Sequence, residues 1–172
     1  MRSYSEAAWV IASFLFLIFA FFFLLSWGPI VDRVDIGAGL AKITAWISYG
    51  VLQVVSLIAG FPLHKNGTIM GSGAFEVDVA PACSGAVPMS IYLSAVLAYP
   101  ASWASRRMGV GLGIGVIFLV NVVRVTALFL IGLYFQQIFH ETHVYVAQAL
   151  VICVAVALWL FWATRFADAP AN

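Results

Sequence analysis

The sequence predicts an all-α fold: a polytopic membrane helical bundle of about five transmembrane helices with a small extracytoplasmic β-hairpin. Three observations carry this reading. The chain is 64% hydrophobic and 9% charged over 172 residues, more apolar surface than a soluble core of that size can bury. A helix needs about 20 apolar residues to cross a hydrocarbon core of roughly 30 Å, and five segments qualify, at about 7–27, 42–61, 82–100, 109–135 and 143–163. What remains is too short for a soluble domain, so residues 1–172 read as one integral membrane domain.

The first segment, Ala7 to Trp27, is longer than the apolar core of a signal peptide and lacks a small-x-small cleavage site, which predicts a retained helix. The second is interrupted by Lys42, Thr44, Ser48, Gln53 and Ser56, and so is expected to be tilted, re-entrant or packed wholly against its neighbours. Between Phe61 and Pro81 lies the one sizeable polar connection, "FPLHKNGTIMGSGAFEVDVAP". Within it Asn66-Gly67 is a turn signal, and Phe75, Val77 and Val79 alternate with Glu76, Asp78 and Ala80. This predicts a small hairpin leading straight into Cys83. The third segment opens on "APACSGAVPM", with Pro81 suited to a first turn and Pro88 expected to bend the helix. In the fourth, Gly111 and Gly115 predict a face for close helix packing. The fifth begins at His143 and carries Cys153, which fits packing or lipid contact.

Charge excludes some classes of function. Eight Lys and Arg against seven Asp and Glu leave no basic patch for nucleic acid. The distribution of positive charge predicts orientation, because short cytoplasmic loops retain Lys and Arg. Arg106 and Arg107 mark the loop after the third segment as cytoplasmic, with Arg165 on the same side and Lys65 opposite; if the second segment spans, Arg33 and Lys42 are inside and Arg2 outside, and if it does not cross, the N-terminus is inside. The contexts of Cys83 and Cys153 predict different membrane depths and no disulfide.

Arg124 is the strongest physical oddity, a guanidinium well inside the apolar run "GVIFLVNVVRVTALFLIGLYF". A charge at a helix centre costs on the order of 2.5–3.5 kcal/mol on insertion, so it normally faces a protein interior or a wet cavity. The alternatives are snorkelling to an interface or pairing with a buried carboxylate, for which Glu76, Asp78 and Glu141 are candidates. Asn121 lies three residues earlier on the same helix face. Fifteen residues from Gly109, at about 1.5 Å each, place Arg124 about 22 Å along its helix, in the outer half of the membrane. By the same topology Cys83 and His143 lie at outer helix ends. A thiol near a helix N-terminus and a cation ionises readily. His143 can take its proton and return it to a leaving amine, while Arg124 stabilises an oxyanion.

Ala82-Cys83-Ser84-Gly85, then Asn121-Val122-Val123-Arg124-Val125 in a later helix, then a His at the start of the last helix, resembles the exosortase and archaeosortase family of membrane transpeptidases. The resemblance covers about Phe75 to Trp162, and the ending "HVYVAQALVICVAVALWLFWATR" is most similar to the exosortase H subgroup. It implies an enzyme of the inner (cytoplasmic) membrane with its site on the extracytoplasmic side. Such an enzyme processes exported proteins that end in a short motif, a transmembrane helix and a basic cluster. The resemblance implies that the family cysteine forms a thioester that passes to an acceptor such as a surface component. By motif match Cys83 takes the nucleophile role, Arg124 the electrostatic role and a His the acid/base role. "FHETHVYVAQ" offers His140 and His143; the family usually has a small residue four positions after its His, which Ala147 satisfies for His143 and Val144 does not for His140. Ser84, Gly85 and Asn121 are expected to contact substrate, Gly85 by leaving room for a backbone.

No cofactor or metal is expected: His64, His140 and His143 are not completed by an acidic residue or Cys at ligand spacing. Two other readings remain open on sequence. One is a non-catalytic transporter or assembly factor with a polar pathway around Arg124 and Asn121. The other is an acyltransferase that loads Cys83 with a lipid-derived acyl group.

Overall fold

The computed structural model describes residues 4–26, 35–73 and 75–167. Arg2, Trp27 and Arg33, which entered the first-span and orientation expectations, lie outside the described residues. Five helices and one small sheet follow in the order α1 Tyr4–Ser26, α2 Ile36–Ala59, β1 His64–Asn66, β2 Ile69–Ser72, β3 Phe75–Asp78, α3 Ala86–Ala98, α4 Trp103–Tyr134 and α5 Ala147–Arg165. The fold is the helical membrane bundle that composition and segment length predict.

Among the described residues four helical stretches are long and apolar enough to cross a membrane, within α1, α2, α4 and the run Gln136–Arg165. The third segment falls short of the expected 82–100. At 13 residues, α3 extends about 20 Å at 1.5 Å per residue, less than a hydrocarbon core. Its N-terminal part is diverted into a 3-10 turn, and a left-handed Gly85 (φ 82°) separates that turn from the helix. Pro88 consequently sits in the first turn of α3, where no intrahelical bond is lost, and does not bend it. The fourth helix starts six residues before the expected Gly109, because Ser102 caps it: its Oγ accepts from the N–H of Ser105 at 3.3 Å.

The chain groups into two compact units, with α4 and α5 each contributing to both. The first contains residues 87–117 and 153–167 together with the N-terminal helix. Its core holds Tyr92, Val96, Ile117, Ala155 and Trp162. Two buried polar tips are satisfied inside it: the Trp162 indole donates to the Ser105 carbonyl at 2.9 Å, and the Tyr92 hydroxyl to the Gly109 carbonyl at 3.1 Å. The close-packing glycines are Gly109 and Gly113, against the expected Gly111 and Gly115. A Cβ on Gly109 would lie 2.6 Å from Trp162 Nε1, and one on Gly113 would collide with the Tyr92 ring, whereas Gly111 and Gly115 face open space. The spacing of four was legible; which of two adjacent faces it marked was not.

The second unit contains residues 36–86 and 118–152. Ala41, Ala45 and Leu52 of α2, Met70 and Val79 of the sheet region, and Val125 and Phe129 of α4 form its core. Thr44 and Ser48 lie on the buried stripe of α2, and the Ser48 hydroxyl reaches the Val122 carbonyl at 3.5 Å. Two of the five interrupting residues, Thr44 and Ser48, therefore mark a packed face on a helix of full spanning length, whereas Lys42 and Gln53 are exposed and Ser56 is half-buried.

The expected hairpin is a three-stranded antiparallel sheet in the order β1-β2-β3. Asn66 pairs with Ile69 around Gly67 (φ 64°), the left-handed position that a primed turn requires. Ser72 pairs with Phe75, and Gly73 (φ 61°) opens that second turn. The sheet is anchored by Phe75, whose ring meets Phe129 edge-on at 5.7 Å and occupies space beside Gly132 that a Cβ would fill.

Candidate functional site

Three residues after β3 the chain enters the 3-10 turn Pro81–Cys83. Proline suits its first position, and the turn closes through Cys83 N–H to Ala80 O at 2.8 Å and Ser84 N–H to Pro81 O at 3.1 Å. Cys83 therefore sits on a tight turn ahead of α3, not at the start of that helix as the sequence suggested. Ser84 is fully buried, and its hydroxyl accepts from the Ala86 N–H at 3.3 Å.

Asn121 of α4 holds this turn from behind. It is fully buried; its Nδ2 donates to the Cys83 carbonyl at 2.9 Å and its Oδ1 accepts from Arg124 Nη1 at 3.4 Å. One amide thus links the backbone of the thiol-bearing residue to the guanidinium one helical turn away. Gly85 permits this approach twice over. Its φ of 82° is accessible chiefly to glycine, and a Cβ there would stand 3.1 Å from Asn121 Cγ. The space beside Gly85 is thus taken up by the Asn121 side chain.

Between α4 and α5 the backbone passes through a short 3-10 turn, a helical turn at Phe139–Glu141 and a π-helical turn at Thr142–Val146. The wider π turn, a frequent feature of functional sites, carries His143. Its ring stacks on Phe139 at 5.9 Å and 17°, and its Nε2 lies 4.0 Å from Cys83 Sγ. Catalytic contacts are often this long before substrate arrives. His140 is exposed and does not line the cavity beside Cys83.

Cys83, Arg124 and His143 border one cavity of about 20 Å³, completed by Val77, Asp78, Val79, Val125, Leu128 and Phe139. That volume accommodates about one water molecule. Arg124 faces it half-buried, with a buried Nε that has no hydrogen-bond partner. Among the described residues no carboxylate pairs with Arg124: Glu76 binds His64 at 3.0 Å and Asp78 accepts from the Thr68 hydroxyl at 2.6 Å. No three His, Cys, Asp or Glu gather as metal ligands among the described residues. A thiol, an imidazole within reach of its proton and an uncompensated guanidinium around one small void are the parts needed for nucleophilic acyl transfer.

Sequence reasoning missed two participants. Phe139 precedes His143 by four residues, a spacing that signals ring contact on a helix. The end of β3 lines the cavity; the only hint was that its alternating pattern runs on toward Cys83.

Residues 5–163 match the family model for transmembrane exosortases, Exosortase_EpsH. No curated protein and no solved structure gives a significant match. The family match runs from the first helix into the last and leaves only short ends of the 172 residues outside it, so the chain belongs to the transmembrane exosortase family.

Proposed function

We propose that this exosortase is a cysteine transpeptidase that removes the C-terminal sorting signal of exported proteins through a thioester on Cys83. The observation that carries the reading is the 4.0 Å approach of Cys83 Sγ to His143 Nε2 at a cavity that Arg124 also lines. His143 Nε2 takes the thiol proton, and the thiolate attacks the scissile carbonyl of the substrate. The negative charge that develops on the carbonyl oxygen is met by Arg124, which lines the cavity and whose Nε has no hydrogen-bond partner within the chain. Collapse of the tetrahedral intermediate breaks the C–N bond, and the leaving amine takes the proton from His143. An acceptor nucleophile then attacks the thioester, His143 removes its proton, and the Cys83 thiol is restored.

Ser84, Gly85 and Asn121 serve this chemistry by holding the nucleophile turn rather than by touching substrate, since all three are buried and the Ser84 hydroxyl and Asn121 amide are engaged within the chain. We place the site on the extracytoplasmic side of the inner membrane, because the Arg106-Arg107 pair on the opposite end of α4 favours the cytoplasm. A void of about 20 Å³ beside Arg124 gives no support to a solute pathway.

The test is coexpression of the enzyme with a reporter that ends in a sorting signal encoded by the same genome. Cys83→Ala abolishes signal removal, and mass spectrometry of the trapped enzyme finds a peptide acyl adduct on Cys83. Signal removal by Cys83→Ala refutes the nucleophile assignment, and a lipid acyl adduct assigns the acyltransferase reading instead.

A further inference from the structure

The void beside Cys83 holds about one water molecule, which favours an approach of the polypeptide along the surface. What borders that approach is β3. The cavity touches Val77, Asp78 and Val79 in succession and no residue of β1 or β2. Consecutive residues of a strand point to opposite faces, so a cavity over one face would meet alternate residues and the neighbouring strand. Contact with two consecutive residues of β3 and with Val79 just after it, and with no residue of β1 or β2, puts the cavity alongside the strand's free edge.

That edge is open in hydrogen-bonding terms. Among the described residues β3 has one strand neighbour, β2. The Val79 N–H donates to Thr68 O at 3.2 Å, which sets the phase of the antiparallel ladder: Phe75 and Val77 turn their backbone groups to β2, and Glu76 and Asp78 turn theirs outward. The Asp78 carbonyl is used by the Ala80 N–H at 3.0 Å. The N–H and C=O of Glu76 and the N–H of Asp78 are left facing the edge.

Natural edge strands are usually blunted by charge, and both outward positions here carry carboxylates. Their side chains, however, are drawn back over the sheet. Glu76 reaches His64 on β1 across β2, which is possible because Gly71 stands between them; a Cβ there would strike the His64 ring and lie 3.0 Å from Glu76 Cγ. Asp78 is held by Thr68. The edge is therefore kept clear up to the point where the chain turns into Cys83.

Resting on the transpeptidase reading, we infer that the substrate binds as an added β-strand on the free edge of β3. An extended segment ahead of the substrate's transmembrane helix pairs with the backbone of Glu76 and Asp78, which delivers its scissile carbonyl to Cys83. Main-chain pairing gives affinity without demanding a particular side chain at the paired positions. It also presents an extended backbone, the conformation in which a peptide carbonyl is accessible to a nucleophile, whereas a helix keeps its carbonyls in internal bonds.

Two measurements test this. Proline at position 76 removes the outward N–H and leaves the β2 ladder intact. Glu76→Pro is therefore expected to cut kcat/KM for the coexpressed reporter about tenfold below Glu76→Ala, the scale of one backbone hydrogen bond; equal values overturn the inference. The second measurement does not depend on that variant folding. In a Cys83→Ala, Cys153→Ala background with Glu76→Cys, a single cysteine is walked along the reporter segment that precedes its transmembrane helix, and a short thiol cross-linker is added. Strand pairing gives cross-links at alternate positions; a spacing of three or four, or no cross-link, overturns it. Cleavage that needs Cys83 without alternation leaves the transpeptidase reading standing and removes strand addition. Alternation without Cys83-dependent cleavage does the reverse.

Discussion

Asn121→Ala tests whether the Cys83 turn is held by α4 rather than by its own backbone. Its Nδ2 is bonded at 2.9 Å to the Cys83 carbonyl, and its Oδ1 at 3.4 Å to Arg124. Asn121 is fully buried, so no water replaces the lost donor, and an unsatisfied carbonyl costs about 1–3 kcal/mol. The structure relieves that cost by moving the Cys83 turn, and a displacement of about 1 Å at a reacting group lowers the rate about 100-fold. Asn121→Asp separates the two contacts, since it keeps the shape, gives Arg124 a full carboxylate and replaces the donor to Cys83 with an acceptor. If Asn121 acts through Cys83, Asp is as damaging as Ala; if it acts through Arg124, Asp is tolerated. The assays are kcat/KM on the reporter, the thermal melt in detergent, and the rate at which iodoacetamide labels Cys83 in a Cys153→Ala background. Wild-type labelling together with wild-type kcat/KM in Asn121→Ala refutes the reasoning.

Other substitutions follow from the same geometry. Gly85→Ala forces a left-handed φ of 82° onto a residue with a Cβ and sets that Cβ 3.1 Å from Asn121, so a loss of about 1–2 kcal/mol is expected in a detergent melt. His143→Ala is expected to lower reporter cleavage by about 100-fold or more and His140→Ala by less than about threefold, since the imidazole near Cys83 Sγ belongs to His143; equal effects contradict this. Gly113→Ala meets the Tyr92 ring and is expected to cost about 1–3 kcal/mol, whereas Gly111→Ala faces open space and is expected to be neutral or stabilising in the same melt. Trp162→Phe removes the 2.9 Å bond to Ser105 O and should cost about 1 kcal/mol more than its small volume change.

The apolar segments were legible because bilayer crossing is a local property, read from twenty or so consecutive side chains. The turn at Asn66-Gly67 and the alternation through Val77 were equally local, and both appear in the sheet. Arg124 stood out for the same reason, as a charge in an apolar run is costly wherever its neighbours are. Other features depend on partners distant in sequence. The third helix is shorter than its apolar run because Gly85 must turn left-handed beside Asn121, 36 positions later. Gly109 and Gly113 are the packing glycines because Trp162 and Tyr92 press on that face, which no spacing rule within α4 distinguishes from the next. Asn121 is legible as polar, but that it binds the Cys83 carbonyl, and that β3 ends with an open edge beside the thiol, are decided by how α4 and the sheet pack. Hydropathy and turn chemistry act between near neighbours and are written in the chain; the meeting of the thiol, imidazole and guanidinium around one void requires the helices and the sheet to be assembled.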